Sequence, residues 1–216
     1  MAEQPLLYHQ VDGIAILTLN NPERRNALFS PLLAALRDRL DEIREDSTVR
    51  VVVLRSTGPV FSSGHDMREL VGRDAESYAA HRCGHGLLCH AGGPDRLFCT
   101  TPGVAVSRAV RSKKAMEMLL TGTPISASEA AEHGLVNRVV APEQLNEEVM
   151  ALARQISSAS AYTVAIGKQA FYRQRDMDLP AAYEMAQRVM VEDLLADDAQ
   201  EGITAFLEKR PPKWTT

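Results

Sequence analysis

The order of apolar and polar residues divides the chain into a short β-prone front and a long helical rear. Residues 13–19, GIAILTL, form an unbroken apolar run that ends in the turn-rich NNPERRN. A run of that length bounded by turn formers reads as a buried strand. From Ser30 the interval changes, with Leu32, Leu33, Leu36, Leu40 and Ile43 recurring at helical spacing. Ser30 is placed to cap this helix over 30–46, with Pro31 at its first position. RVVVLRS, 50–56, is a second continuous run, β-branched and again of the buried type. Strand, helix and strand in that order form a crossover unit. Residues 12–19 and 50–56 should therefore be adjacent buried strands, with the helix packed across them.

Downstream the pattern is nearly all helical. Residues 112–120 end at Thr121-Gly122, and SASEAAEHG is a short helix capped by Ser126 or Ser128 and stopped at Gly134. LVNRVV, 135–140, reads as a short strand. Helical periods follow at 142–158, 160–175 and 179–195, and QEGITAFLEKR stops before Pro211-Pro212. Met116, Met118 and Leu119 read as packing residues, Glu117, Glu129 and Glu132 as a solvated face, and His9 and His133 as surface or hydrogen-bonded histidines. The coarse architecture is an α/β core over 1–140 and a helical region over 141–216.

Composition narrows the function classes. With 216 residues and 45% hydrophobic content the chain can bury a core, and a net charge of −4 without any basic run argues against a nucleic-acid partner. No apolar run reaches membrane-spanning length. The start, MAEQPLLYHQ, has neither the cationic and apolar parts of a secretory leader nor the arginine bias of a transit peptide. Cys83, Cys89 and Cys99 are too few for a disulfide framework. A soluble cytoplasmic protein is expected.

Two stretches carry candidate chemistry. GPVFSSGHDMREL, 58–70, follows the second strand as a glycine-containing turn, and such a turn presents backbone N–H groups to an oxygen ligand. Ser62, Ser63, His65 and Asp66 are too close in sequence to face one another as a triad. The other stretch is HRCGHGLLCHAGGPD, 81–95. His81, Cys83, His85, Cys89 and His90 are soft donors without a paired Cys-x2-Cys spacing, and Gly92-Gly93 lacks the frame of a phosphate loop. Neither a metal site nor a phosphate site is expected there.

NPERRNAL (21–28), VFSSGHDMREL (60–70), LLTGTPISASEAAEHGLVNRVV (119–140) and DAQEGITAFLEKRPPKW (198–214) together resemble the enoyl-CoA hydratase/isomerase, or crotonase, superfamily. FSSGHDM and LFCTTPGVA look most like the branch typified by enoyl-CoA hydratase domain-containing protein three. The resemblance implies a crotonase-like spiral of ββα turns, here incomplete, with C-terminal helices (141–216) serving oligomerisation into a homotrimer or hexamer. It implies an acyl-CoA substrate of fatty-acid metabolism, with coenzyme A arriving as part of the substrate and no separate cofactor or metal. The backbone N–H of His65 would be one donor of an oxyanion hole that stabilises a thioester enolate. Ser63, Gly64, Asp66 and Met67 would border the adenine and pantetheine, Arg25, Asn26 and Ala27 the CoA phosphates, and Lys168 would add a contact from the rear helices. A catalytically silent protein of the same fold, binding CoA or a partner, is the alternative.

The family's second oxyanion segment and its two catalytic glutamates have no recognisable counterpart here. The resemblance lapses after ESYAA and returns at Leu97. Plausible GC-rich codons for Arg82 to Arg96, read one base along, spell AADTASFATPGVQIG, a string of the kind that branch would carry before LFCTTPGV. The aberrant segment, about 79–96, is accordingly read as an out-of-frame translation (81–96) behind an upstream deletion, and as irregular in structure. Even in the repaired frame, FATPGV puts glycine where hydratases carry the second glutamate. Asp66, Glu69 and Asp95 are the carboxylates left to serve as a replacement base.

Overall fold

The computed structural model describes residues 4–69, 71 and 100–215. The chain divides into two compact units, Met1–Glu148 and Val149–Thr216, where the residue pattern had set the division at 140. The stretch 79–96, with every donor of the metal reading and Asp95, lies outside the described residues. Among the described residues no cluster of His, Cys, Asp or Glu could hold a metal, and no helix is long and apolar enough to cross a membrane.

The first unit opens with a hairpin. Strands β1 (Leu6–Val11) and β2 (Ile14–Leu19) pair antiparallel through Asp12-Gly13, at φ 49° and 72°. Two consecutive left-handed residues are what a two-residue turn between twisted strands requires. At Gly13 a Cβ would also sit 3.1 Å from the Thr48 carbonyl oxygen. β1 escaped the sequence reading because most of its residues are exposed and it lacks a clean apolar alternation. The Asp-Gly pair ahead of GIAILTL was the signal for it.

Strand β3 (Val51–Ser56) lies parallel to β2, in register from Ile14–Val51 to Leu19–Ser56, so the sheet order is β1-β2-β3. The adjacency expected of the two runs holds. Every residue of β2 is buried. β3 departs from expectation: only Val53 is buried, while Val52 and Leu54 are 41% and 40% exposed. β3 is the edge of the described sheet, so its side chains lack the cover that a central strand receives.

Helix α1 (Ser30–Glu45) presents Leu32 to Leu19 and Leu28, and Leu6, Phe29, Leu33 and Leu36 close around them. Its cap residue is Phe29 rather than Ser30, and no side chain of the cap position serves the helix start. Ser30 is the first helical residue, and its donors go to Glu69 instead.

Farther along the first unit come α2 (Thr100–Ala109), α3 (Ser112–Thr121) and α4 (Ala127–Glu132). Val106, Val110 and Ala115, with Leu135, form a small apolar cluster. Gly122, at φ 61°, closes α3 through its N–H to the Met118 carbonyl. Ser126 caps α4, and Glu129 returns the bond to the Ser126 N–H at 2.8 Å, so Glu129 is half of a capping box while remaining, like Glu117 and Glu132, on the exposed face expected of it. Met116 is 50% exposed and does not pack as expected. Residues 135–140 form no strand, because among the described residues none lies alongside to pair with them. His133, expected at the surface or hydrogen-bonded, is half-buried, and its Nδ1 has no hydrogen-bond partner among the described residues.

A 3₁₀ turn, Pro142–Gln144, leads into α5 (Leu145–Ser157). The second unit then builds α6 (Ala161–Gln174), α7 (Leu179–Leu194) and α8 (Asp197–Glu208), close to the expected spans. Ser160 and Asp178 cap α6 and α7 by accepting from Thr163 and Ala181. The tail after α8 is tied down by polar contacts. Glu201 accepts from the Arg210 guanidinium at 2.6 and 2.9 Å and from the Lys213 N–H at 2.7 Å. Asp198, only 2% exposed, accepts from Ser160 and from Thr215, and the Trp214 indole donates to the Ser158 carbonyl at 2.7 Å.

Candidate functional site

The site is made by two irregular segments that leave the same end of the sheet. Residues 20–28 follow β2, and residues 57–69 follow β3. Because those strands are parallel neighbours, both segments emerge side by side, which is where open α/β arrangements place their ligands.

Asn26 holds the first segment in shape. It is 1% exposed, and its backbone lies at φ 52°, the left-handed region that asparagine tolerates. Its amide nitrogen donates to the Thr57 and Val60 carbonyls, each at 2.8 Å, and its amide oxygen accepts from the Asn21 N–H at 2.8 Å. Its own N–H donates to the Asn21 carbonyl and its own carbonyl accepts from Ser62 Oγ at 2.8 Å. Side chain and backbone are thus engaged inside the protein. Asn26 thereby ties the two segments of the site together. A short left-handed turn at Arg25 and Asn26 turns the exposed Arg24 and Arg25 side chains outward beside it. Ala27 is buried beneath.

The second segment is bonded to the first along its length. Ser63 N–H donates to the Arg25 carbonyl at 2.9 Å, Leu28 N–H to the Gly64 carbonyl at 2.7 Å, and Asp66 N–H to the Leu28 carbonyl at 2.9 Å. The last two make a parallel bridge between Leu28 and His65. In such a bridge the residues flanking His65 bond to Leu28, and the peptide groups of His65 itself point to the opposite side. Gly64, at φ 84°, supplies the reversal that turns the chain there, a conformation L side chains rarely adopt. Ser63 and Met67 are exposed on this turn.

Asp66 is buried, and both of its oxygens are claimed by Arg68: Nε at 2.9 Å and Nη2 at 2.9 Å, with the Arg68 N–H at 3.1 Å. The Arg68 guanidinium holds the Asp66 carboxyl below the usual carboxylate range, helped by the Arg68 N–H and the more distant Arg24. Glu69 is also committed, to the Ser30 N–H at 2.9 and 3.1 Å and to Ser30 Oγ at 2.8 Å. Neither contact was foreseen: Arg68 is a local partner within the same turn, whereas Ser30 lies 39 residues away. Of the expected site residues the structure brings together Arg25, Asn26, Ala27, Ser63, Gly64, His65, Asp66 and Met67. Lys168 belongs to α6 in the second unit.

The sequence profile of the Enoyl-CoA hydratase/isomerase family matches residues 9–86 and 97–216. Among curated proteins, mitochondrial enoyl-CoA hydratase domain-containing protein 3 of Mus musculus is 41% identical over 248 residues, covering 95% of this chain and 83% of that protein. The human protein of the same name is 39% identical over 254 residues, covering 98% and 84%. Among solved structures, enoyl-CoA hydratase from Mycobacterium smegmatis superposes with a TM-score of 0.89 at 36% identity, covering 99% of this chain and 100% of that one. The crystal structure of human enoyl-CoA hydratase domain-containing protein 3 gives 0.88 at 38% identity, covering 98% and 100%. These names overturn the cytoplasmic expectation, because curated relatives about 40% identical to this chain are called mitochondrial. Composition and charge could not have shown this: a compartment is set by an address that a folded body need not retain.

Proposed function

The chain belongs to the enoyl-CoA hydratase/isomerase family, with the crotonase fold of its solved neighbours, and we propose that it binds acyl-CoA thioesters between the 24–28 and 62–67 segments. In this reading the exposed Arg25 meets the CoA phosphates, and Ser63 and Met67 flank the pantetheine. The His65 N–H donates to the thioester carbonyl, where negative charge gathers as the α-carbon loses or gains a proton.

The same reading makes this chain a poor catalyst. The observation that carries it is the commitment of both carboxylates beside His65. Asp66 is locked to Arg68 and Glu69 to Ser30, so neither stands ready to move a proton. No counterpart of the second oxyanion donor or of the two family glutamates is recognisable in the sequence. Losing one preorganised donor costs about 10²–10³ in rate. Losing general acid–base assistance costs about 10²–10⁴, and the two need not multiply.

Purified protein supplied with crotonyl-CoA should hydrate it at close to the background rate while still taking up CoA in a calorimeter. Ordinary hydratase turnover would refute the impairment. Absence of CoA binding would refute the site itself and favour the alternative of a fold retained for a partner.

Two further elements complete the proposal. Within the stretch 81–96, the residues from 87 on, where the family profile has broken off, are the product of a shifted reading frame. In support, the family profile breaks between 86 and 97, and the relative's alignment runs over 248 residues although this chain has only 216. The profile reaches 86, farther than the motifs alone carried it, so the break is narrower than the segment first marked. Sequencing the gene decides the point: codons that forbid AADTASFATPGVQIG in the neighbouring frame exclude it. Assembly into a homotrimer or hexamer is the other element. Phe206, Leu207 and Leu195 of the second unit are 82%, 73% and 77% exposed, more apolar side chain than an isolated helical unit usually leaves in water. Sedimentation velocity tests it.

A further inference from the structure

The turn that carries His65 is fastened to the rest of the first unit at points on both sides of that residue. Ahead of it, Ser63 N–H reaches the Arg25 carbonyl and Ser62 Oγ reaches the Asn26 carbonyl. Behind it, the 3₁₀ turn Met67–Glu69 delivers the Glu69 carboxylate to the first residue of α1. That helix has no side-chain cap of its own, so the carboxylate meets donors left over at a positive helix end. Three hydrogen bonds converge there: Ser30 N–H to Oε1 at 3.1 Å and to Oε2 at 2.9 Å, and Ser30 Oγ to Oε2 at 2.8 Å. Between Ser30 and the bridging Leu28 lies one residue, Phe29. The carboxylate clasp and the backbone bridge therefore grip the same two segments a few residues apart.

We propose that Glu69 is a positioning residue for the oxyanion donor: its clasp on Ser30 sets the orientation of the His65 peptide. Attachments on both sides of His65 restrain the turn in position and twist, whereas without the clasp only the bonds ahead of His65 and the bridge remain, and the side behind it can swing. An N–H donor polarises a carbonyl strongly only when aimed at it, so a turn loosened by removing Glu69 would still hold CoA and would polarise the thioester less. This inference rests on the reading of His65 as the thioester donor, and the test separates the two.

The probe is cinnamoyl-CoA, whose conjugated thioester absorbs at longer wavelength when its carbonyl oxygen accepts a hydrogen bond. The wild-type chain should show a red shift on binding. Glu69→Ala should lose about half of that shift at saturation, with Kd changed by less than about threefold, since the contacts to CoA are untouched. Glu69→Gln keeps one acceptor oxygen for the Ser30 N–H and should retain most of the shift. A wild-type chain that fails to bind the probe, or binds it without a shift, overturns the thioester reading and this proposal with it. A wild-type shift retained in full by Glu69→Ala overturns this proposal alone. Should the alanine variant lose its folded circular dichroism, Glu69→Gln and Ser30→Ala decide the matter. Partial loss of the shift in both supports the clasp, and a full shift in both refutes it.

Discussion

The sheet end of the first unit and the helices of the second are held together by different means. In residues 4–69 a set of large apolar side chains is fully inside: Ile14, Leu17, Leu19 and Leu32 are at most 1% exposed, although Leu40, Val52 and Leu54 stand at 40% or more. The loops above the core are stitched by the fully engaged Asn26. In residues 149–215 the buried residues are Ala153, Met185 and Ala205, with Ser160 and Asp198, while Phe171, Tyr183, Phe206 and Leu207 stand more than half in water. The first region has the interior of a finished fold. The second relies on caps, short ion pairs and a tail pinned by carboxylates, and its apolar side chains face outward. Helices can thus form to their full expected length in a region whose hydrophobic driving force is still unspent.

Deleting side-chain volume should expose that contrast most sharply. Leu19→Ala leaves a cavity in the first unit and should cost about 2–5 kcal/mol in urea unfolding. Phe206→Ala removes a larger but exposed side chain and should change stability by no more than about 0.5 kcal/mol. Equal losses from the two would erase the distinction.

Asn26→Ala tests the stitching above the core. It strands the Thr57 and Val60 carbonyls and the Asn21 N–H, and should cost about 2–3 kcal/mol together with CoA uptake. Full CoA affinity in a folded Asn26→Ala protein would mean that the two loops hold their shape without it.

Acid gives the gentlest probe, and it acts on the second unit. The Arg210 guanidinium, with the Lys213 N–H, holds the Glu201 carboxyl down from its usual 4.5 to about 2. A carboxyl depressed in the folded state contributes stability that is complete above 4.5 and is lost as pH falls from there toward about 2. The tail should loosen over that interval, and Trp214, the single tryptophan, reports it by fluorescence. Glu201→Gln should show the loosened signal at neutral pH and flatten the acid response. A wild-type signal unchanged down to about 2 would show that the tail does not depend on this pair.

These regions also differ in how far their residues announced them. The helices of the second unit were readable nearly to the residue because spacing, Ser160 and Asp178 at the starts, and Pro211 beyond the end are all local marks. The sheet was readable where the runs were continuous, in β2 and β3, and not in β1, whose exposure removes the alternation. Whether β3 is covered depends on what lies beside it, which its own residues do not state, and the same holds for the strand wrongly expected at 135–140. Within the site, Gly64 and the turn formers marked where the chain reverses. The contacts that hold the turn, Asn26 to Thr57 and Val60 and Glu69 to Ser30, join residues more than thirty apart, and no local pattern encodes such a pair.

The crossover between β2 and β3 also fixes an order of events in time. The β1–β2 hairpin needs only a two-residue closure and can form within microseconds, whereas β3 must return across α1 before it finds β2. The carbonyls that Asn26 needs lie beyond β3, at Thr57 and Val60, so its bonds cannot close until the parallel pairing is made. The binding loops are therefore a late product of folding. Loss of Asn26 should quicken unfolding and leave the refolding rate nearly unchanged, and a slowed refolding limb would reverse that order. A chain caught partway would already own its sheet and have nothing yet to bind with.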